Sequence, residues 1–482
     1  MPHAHEQGHA HAPGCLCQTP AFARLNEILS FKFTRRAFLG GAGVAGLMAL
    51  WPNEATAGIP PAPKSSIAFT NIRLFDGKAG KLSSGMTVIV SGNRIAAVQS
   101  AEAPLAPDAQ KIDCGGKTLM PGLIDNHWHT MMASLPMQVL MMADIGFINL
   151  AAAAEAERTL LRGFTTVRDM AGPSFGLKRA IDMGMTPGPR IWPSGAMISQ
   201  TSGHGDFRFP YEIPSSPNAP LSRADAEGVG AIADGVPEVL KRAREQLMLG
   251  ASQLKLAAGG GVSSPYDPID VSQYTEPEFR AAVDAAEDWG TYVAVHAYTP
   301  RAIQTAIRGG VKCIEHGQLM DQTTAKMMQE KDVWLSTQAF LDNEFSNPQT
   351  GEARQKQLQV AAGTDNAYNF AKSLKLKTAW GTDILFNPAG TANQGALLTT
   401  LTRWYEPADI LTMATGTNAE LLAMSGPRTP YPAKVGVIEP DAFADLLIVD
   451  GDPLADIKLI ADPEKNLALI MKDGRIYKNR MQ

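Results

Sequence analysis

Beyond residue 57 the chain holds five histidines: His127, His129, His204, His296 and His316. Imidazole is the side chain best suited to bind a transition metal or move a proton near neutral pH. His127-Trp128-His129 sets two of them two positions apart. Residues i and i+2 of a strand point the same way, so both rings can grip one ion from the strand's end. His296 ends the apolar run 292–295, and His316 ends Cys313-Ile314-Glu315. Taken singly, each reads equally well as a buried histidine with a satisfied partner. At the ends of successive apolar runs they read jointly as a ligand cluster. Asp383, in Trp380-Gly381-Thr382-Asp383, adds a carboxylate that can ligate metal and take a proton from bound water, or else cap a helix.

Lys255 is the other telling residue. It sits in Ser252-Gln253-Leu254-Lys255-Leu256, an apolar strand where lysine is disfavoured. A buried lysine loses its proton readily and becomes nucleophilic. It can then take up carbon dioxide as a carbamate, a bidentate anion able to bridge two cations. The alternative is a lysine whose head snorkels to the strand end.

These residues need elements to position them. Between about residues 120 and 425, short apolar strands alternate with Ala-rich helices. Strands are expected at 123–128, 165–168, 190–194, 253–257, 292–296, 313–316, 334–337 and 378–381. Eight such alternations predict an α/β fold, a (β/α)8 TIM barrel, whose strand C-termini form the catalytic rim. Segments 205–222 and 258–276 are rich in Pro, Gly and Ser and are expected to be loops over the barrel mouth. Residues 67–74, 87–90, 94–99, 444–449, 467–472 and 475–478 read as strands, with Asp473-Gly474 as a hairpin turn. Both chain ends together therefore predict one small β-sandwich domain. The expected layout is a leader at 1–57, sandwich parts at 58–119 and 426–482, and the metal-dependent barrel at 120–425.

Composition agrees with this size and class. The 482 residues are 45% hydrophobic and 19% charged, with a formal net charge of -5; nothing in that balance suggests a nucleic-acid partner. Outside the leader only Cys114 and Cys313 remain, too few for a disulfide framework. Within the leader, Thr34-Arg35-Arg36-Ala37-Phe38-Leu39, a short apolar run at 40–51 and Ala55-Thr56-Ala57 read in order as a twin-arginine export signal. A periplasmic or secreted protein without a membrane span in its mature chain is expected. Ahead of the signal, His3, His5, His9, His11, Cys15 and Cys17 form a ligand-rich tract. It either binds metal during maturation or is lost with the leader.

Met120-Pro121-Gly122-Leu123-Ile124-Asp125-Asn126-His127-Trp128-His129 resembles the opening motif of the amidohydrolase superfamily. Val435 to Pro453 resembles its C-terminal sheet signature, and Asn71 to Gly77 its first strand. The resemblance covers nearly all of 67–478. It implies two divalent metal ions, zinc suiting the donors best: His127, His129 and Asp383 on the first, His296 and His316 on the second, and a carbamate on Lys255 between them. Water activated between the metals would attack an amide carbonyl. Asp383 would take its proton and pass it to the leaving nitrogen. Thr201-Ser202-Gly203-His204-Gly205-Asp206 is similar to the imidazolonepropionase-like branch. It is closer to the Xaa-Pro dipeptidase and carboxypeptidase-like group, which includes ochratoxin amidohydrolases. That likeness gives His204 and Tyr298 substrate contacts, Arg208 pairing with a substrate carboxylate or remaining a solvated loop charge. The chain departs from the motif at Ser202-Gly203, where Gly-Gly often precedes the histidine. Phe207, Phe209 and Tyr211 would line a pocket for a bulky or aromatic substrate, or pack on a neighbouring subunit.

The implied reaction is hydrolysis of the C-terminal amide of a dipeptide or N-acyl amino acid, ochratoxin A being one such molecule, by a homo-oligomer. A deaminase or cyclic-amide hydrolase is the second reading, and one metal per chain rather than two would favour deamination. A barrel that binds without catalysis would lack ligands, whereas His127, His129, Lys255, His296, His316 and Asp383 are all present.

Overall fold

The computed structural model describes residues 58–481 apart from 215 and 217. The expected export signal and the His/Cys tract lie outside the described residues.

One mixed sheet collects both chain ends. Its strands are β1 (Ile67–Phe75), β2 (Leu82–Ser91), β3 (Arg94–Ser100), β4 (Gln110–Asp113) and β5 (Thr118–Pro121) from the front. From the back come β16 (Leu446–Val449), β17 (Leu467–Lys472) and β18 (Arg475–Asn479). The order is β18-β17-β16-β5-β1-β2-β3, and the free side of β1 divides between β4 and β5. That branch curls the sheet over an apolar cluster of Phe69, Ile95, Leu119, Leu446, Ile448 and Leu469. Asp473 and Gly474 turn the last hairpin with φ of 55° and 71°, the pair of positive values that a two-residue turn of this twist demands.

The barrel strands are β6 (Leu123–Trp128), β7 (Phe164–Asp169), β8 (Arg190–Pro193), β11 (Leu254–Ala257), β12 (Val293–Ala297), β13 (Cys313–His316), β14 (Trp334–Thr337) and β15 (Thr378–Trp380). All eight expected strands are present. A short extra pair, β9 (Met197–Ser199) and β10 (Gly230–Ile232), runs parallel beside β11. The six ladders between successive barrel strands are all parallel.

Side-chain alternation sorts each strand into two layers. Leu254, Leu256, Val293, Val295, Ile314 and Leu335 face outward into the helix-covered core. Ala294, Cys313, Trp334 and Ala379 face inward and pack with Met170, Tyr292 and Leu421 at the barrel floor. The same parity turns Lys255, His296 and Glu315 inward. Where β15 meets β6, Asn418 supplies the closing hydrogen bonds. Its Nδ2 donates to Ile124 O and Trp380 O, each 2.8 Å away, and its Oδ1 accepts from Trp380 N at 3.0 Å. Asn418 follows a π-helical turn at Met413–Thr417, a local widening often kept for such a purpose. At the other opening, Ser252 N donates to Pro193 O and Gln253 Nε2 to Trp192 O, joining β8 to β11.

Barrel and end sheet are locked by a charge cluster around the buried Arg190 and Asp445. Arg190 on β8 makes a two-pronged pair with Asp445 at 2.7 and 3.1 Å and reaches Asp473 at 2.7 Å. Among the described residues no helix is long and apolar enough to cross a membrane.

Candidate metal centre

The loops after the barrel strands enclose a cavity of about 500 Å³. His127, His129, His204, Lys255, His296, Tyr298, His316 and Asp383 all line it. Arg208 does not. Its guanidinium is taken up by Asp206, with Nε–Oδ1 at 2.8 Å and Nη2–Oδ2 at 2.6 Å. The expected carboxylate partner is thus two residues away in the same loop, and Arg208 is unavailable to a substrate in this arrangement.

Asp383 is the meeting point. Its Oδ1 lies 3.3 Å from His127 Nε2 and 3.0 Å from His129 Nε2, and Oδ2 lies 3.9 Å from His316 Nδ1. Ligand atoms of His127, His316 and Asp383 fall within 4.8 Å of one another. Burial alone would raise the Asp383 carboxyl, but His127, charged only at acid pH, the hydrogen bond from His129, and His316, likewise charged only at acid pH, outweigh it and hold the group well below its usual value. Two backbone conformations make this convergence possible. Asp383 has φ of 56° and His316 has φ of 81°, values that cost a side-chain-bearing residue roughly 1–3 kcal/mol and concentrate at functional sites. At His316 the bend breaks strand alternation, so Glu315 and His316 both reach the interior. Gly381 allows the approach from β15: a Cβ there would lie 2.2 Å from His127 N.

Each ring's remaining nitrogen is assigned by its partner. His127 Nδ1 lies 2.7 Å from Glu315 Oε2. Glu315 is kept ionised: burial opposes its charge, but Arg168 and His127 prevail. A carboxylate only accepts, so His127 carries its proton on Nδ1 and aims the Nε2 lone pair at Asp383. Burial above all pushes His127 down to about 3, so the ring is neutral. A lone pair facing a carboxylate oxygen at 3.3 Å repels it unless a cation lies between them. His316 follows the same pattern, with Nδ1 donating to Gln338 Oε1 at 2.7 Å and burial lowering the ring to about 4. His296 Nε2 donates to Gly260 O at 3.0 Å, leaving Nδ1 free, and burial with His204 and His316 alongside keeps it neutral. His129 Nδ1 is buried without a hydrogen-bond partner. Neutral imidazoles with bare lone pairs, one ionised carboxylate and an unpaired ring nitrogen fit a divalent cation.

Lys255 is 2% exposed, and among the described residues its Nζ has no hydrogen bond. Burial lowers its pKa, with Arg168 adding to the effect against Glu315 and Asp383. That environment favours the uncharged amine.

On the facing wall, His204 stacks on His296 with ring centroids 3.8 Å apart. Its Nδ1 lies 2.8 Å from Ser264 Oγ and 3.4 Å from Asp267 Oδ2. Loop 258–276 therefore covers the mouth, and Gly261 is obligatory there, since a Cβ would meet His204 Nδ1 at 1.9 Å. Ser202 holds φ of 60°, the left-handed conformation that glycine adopts freely. The Ser-for-Gly departure thus keeps a glycine-like backbone, and Ser202 N donates to Asp206 at 2.8 Å. Tyr298 is buried against His296 and His316 with centroids 4.9 and 5.1 Å away. Burial, then Asp383 and Asp267, raise its hydroxyl well above the usual range, so it remains a proton donor.

Sequence reading missed Glu315, Arg168 and Gln338. Arg168 is fully buried and donates to Glu315 Oε1 at 2.7 Å, Tyr292 Oη and Ser336 Oγ at 3.0 Å, and Asn126 O at 2.7 Å. For Arg168 and Glu315 the signal was present: a charged residue inside an apolar strand, the criterion that singled out Lys255.

Residues 118–477 match the model of the Amidohydrolase family. The chain belongs to that family. It is 30% identical over 327 residues to ochratoxinase of Aspergillus niger, spanning 66% of each chain, so about a third of that enzyme lies outside the match. A solved amidohydrolase shares 35% identity and a TM-score of 0.79 over 87% of this chain and all of its own. A prolidase complexed with N-methylphosphonate-L-proline shares 33% identity and a TM-score of 0.78, over 86% and 100%. Within that family it is related to ochratoxinase and to prolidase.

Proposed function

We propose that this amidohydrolase uses two divalent cations, zinc foremost, to cleave the C-terminal amide bond of dipeptides or N-acyl amino acids. Ochratoxin A, giving phenylalanine and ochratoxin alpha, is a test substrate. The observation that carries the reading is the neutral His127 lone pair facing the ionised Asp383 at 3.3 Å, an arrangement that calls for a cation. The likeness to a prolidase and an ochratoxinase supports the bond type.

His127, His129 and Asp383 would hold one cation, and His296 with His316 the other. The uncharged amine of Lys255 would attack the carbon of carbon dioxide, forming an N–C bond as one C=O π bond opens onto oxygen and the nitrogen loses a proton, to give a carbamate able to ligate the cations. When bound, the metals lower the pKa of water and polarise a carbonyl oxygen. Asp383, ionised and central, accepts the proton of the attacking water and delivers it to the leaving nitrogen. Tyr298 and His204 face the same space and orient the substrate carbonyl through their hydroxyl and free ring nitrogen.

Export to the periplasm or beyond is proposed from the twin-arginine segment. Self-association is proposed from the exposed apolar side chains of Met142, Phe147 and Leu150, which a monomer would leave in water.

Zinc-reconstituted enzyme and Lys255→Ala should be assayed against ochratoxin A, Xaa-Pro dipeptides and N-acyl-phenylalanines. Cleavage by the parent and its loss in the variant, with metal content falling below two per chain, are expected. Full metal content and activity in Lys255→Ala would overturn the bridging role. Turnover of cyclic amides or aminated rings alone would overturn the substrate class.

A further inference from the structure

A second cavity, of about 250 Å³, lies beside the metal cavity. Met132, Met137, Phe207 and Phe386 line both, so the two share a wall. Its far side is formed by Leu140, Ile148 and Val229. A ligand-sized pocket usually exceeds roughly 300 Å³, so this smaller space suits one apolar group rather than a whole molecule. Methionines supply much of the common wall, and their flexible thioethers adapt to flat or branched apolar shapes.

The pocket is constructed rather than incidental. Its outer wall includes the short helix Met137–Met142, none of whose residues is buried. Arg223 secures that helix: its guanidinium donates to Met141 O at 2.8 Å and to Ala143 O, and pairs with Glu227 at 3.0 Å. On the inner side, Phe386 N donates to Met132 O at 2.9 Å and Asn387 N to Ala133 O at 3.2 Å. The segments that leave His129 and Asp383 therefore run together and carry the shared wall.

We infer that this side pocket receives the apolar side chain of the amino acid released by hydrolysis. The inference rests on the amide-cleaving reading above. Asp383 delivers its proton to the leaving nitrogen, so the amine half of the substrate lies on the Asp383 side. The wall between the two spaces carries Met132 and Phe386, three residues beyond His129 and Asp383 respectively, so the side pocket adjoins the metal cavity on that side. The site thus selects amides whose C-terminal residue is large and apolar, and leaves the acyl half to the main cavity under loop 258–276.

Filling the pocket tests this. Leu140→Trp and, from the opposite wall, Val229→Phe should be assayed on two substrate pairs. One pair varies the amine half, N-acetylalanine against N-acetyl-naphthylalanine. The other varies the acyl half, N-acetylalanine against N-naphthoylalanine. In both variants the bulky member of the amine pair should lose about tenfold or more in kcat/KM relative to its small partner, through KM, as expected for crowding an apolar subsite. The acyl pair should keep its ratio. An unchanged amine-pair ratio, or a loss confined to the acyl pair, overturns the assignment. If the parent cleaves none of these amides, the amide reading fails by itself. The pocket is then judged by equilibrium dialysis with naphthylalanine, which the parent should bind and both variants should not. Equal binding by all three overturns the pocket.

Discussion

His127 Nδ1 and Glu315 Oε2 lie 2.7 Å apart at the centre of the barrel, one ring 1% exposed and its carboxylate partner fully buried. Glu315 in turn takes Arg168 Nη2 at 2.7 Å. A guanidinium thus keeps a carboxylate charged, and the carboxylate orients the imidazole lone pair towards Asp383. Glu315→Gln should lower metal affinity about 10–100-fold, the usual cost of losing a ligand's outer partner. It should also destabilise the metal-free chain by about 3–5 kcal/mol, because Arg168 is left buried and unpaired. Competition with a chelator measures the first and urea unfolding the second. Unaltered metal affinity would show that Glu315 does not orient His127.

Arg208 is already saturated by Asp206. Arg208→Gln should therefore change KM for an N-acyl amino acid by less than roughly threefold, since no substrate contact is removed. A much larger rise in KM, confined to substrates with a free carboxylate, would show that the arginine swings inward when substrate binds.

Asn418 stands in for ladder bonds at the β15–β6 seam. Asn418→Ala removes its side-chain bonds to Ile124 O, Trp380 O and Trp380 N. At about 1 kcal/mol for each bond lost, the expected destabilisation is roughly 3 kcal/mol, read from the urea midpoint. Wild-type stability in this variant would mean that the seam closes without it.

Lys472 on β17 is held at about 8, chiefly by burial and secondly by Arg190, against a usual 10.5. A lysine with a depressed folded pKa costs stability while protonated, below about pH 8. The cost fades as pH rises towards 10.5, where the unfolded lysine also deprotonates. Wild type should therefore gain on Lys472→Met by about 3 kcal/mol across that window. Unfolding curves at both ends of the window check the sign. A constant difference would contradict the depressed value.

Much of this protein is legible in its sequence. The eight barrel strands, the sheet built from both chain ends and the Asp473-Gly474 hairpin follow from local rules: apolar runs, alternation and turn chemistry act over a few residues. The inward placement of His127, Lys255 and His296 follows too, because parity along a strand tells which residues face in, whereas His316 and Asp383 turn in only through their positive φ. Partnership is different in kind. Glu315 reaches His127 across 188 positions of sequence, and Asn418 reaches Ile124 across 294. Loop 258–276 closes over His204, the segments after His129 and Asp383 join to wall a side pocket, and Arg208 turns to Asp206 rather than to the cavity. Those choices depend on how loops of different length fold back on one another, on positive φ at His316 and Asp383, and on which buried charge finds its opposite. Local pattern carries none of that, and only the packed barrel decides it.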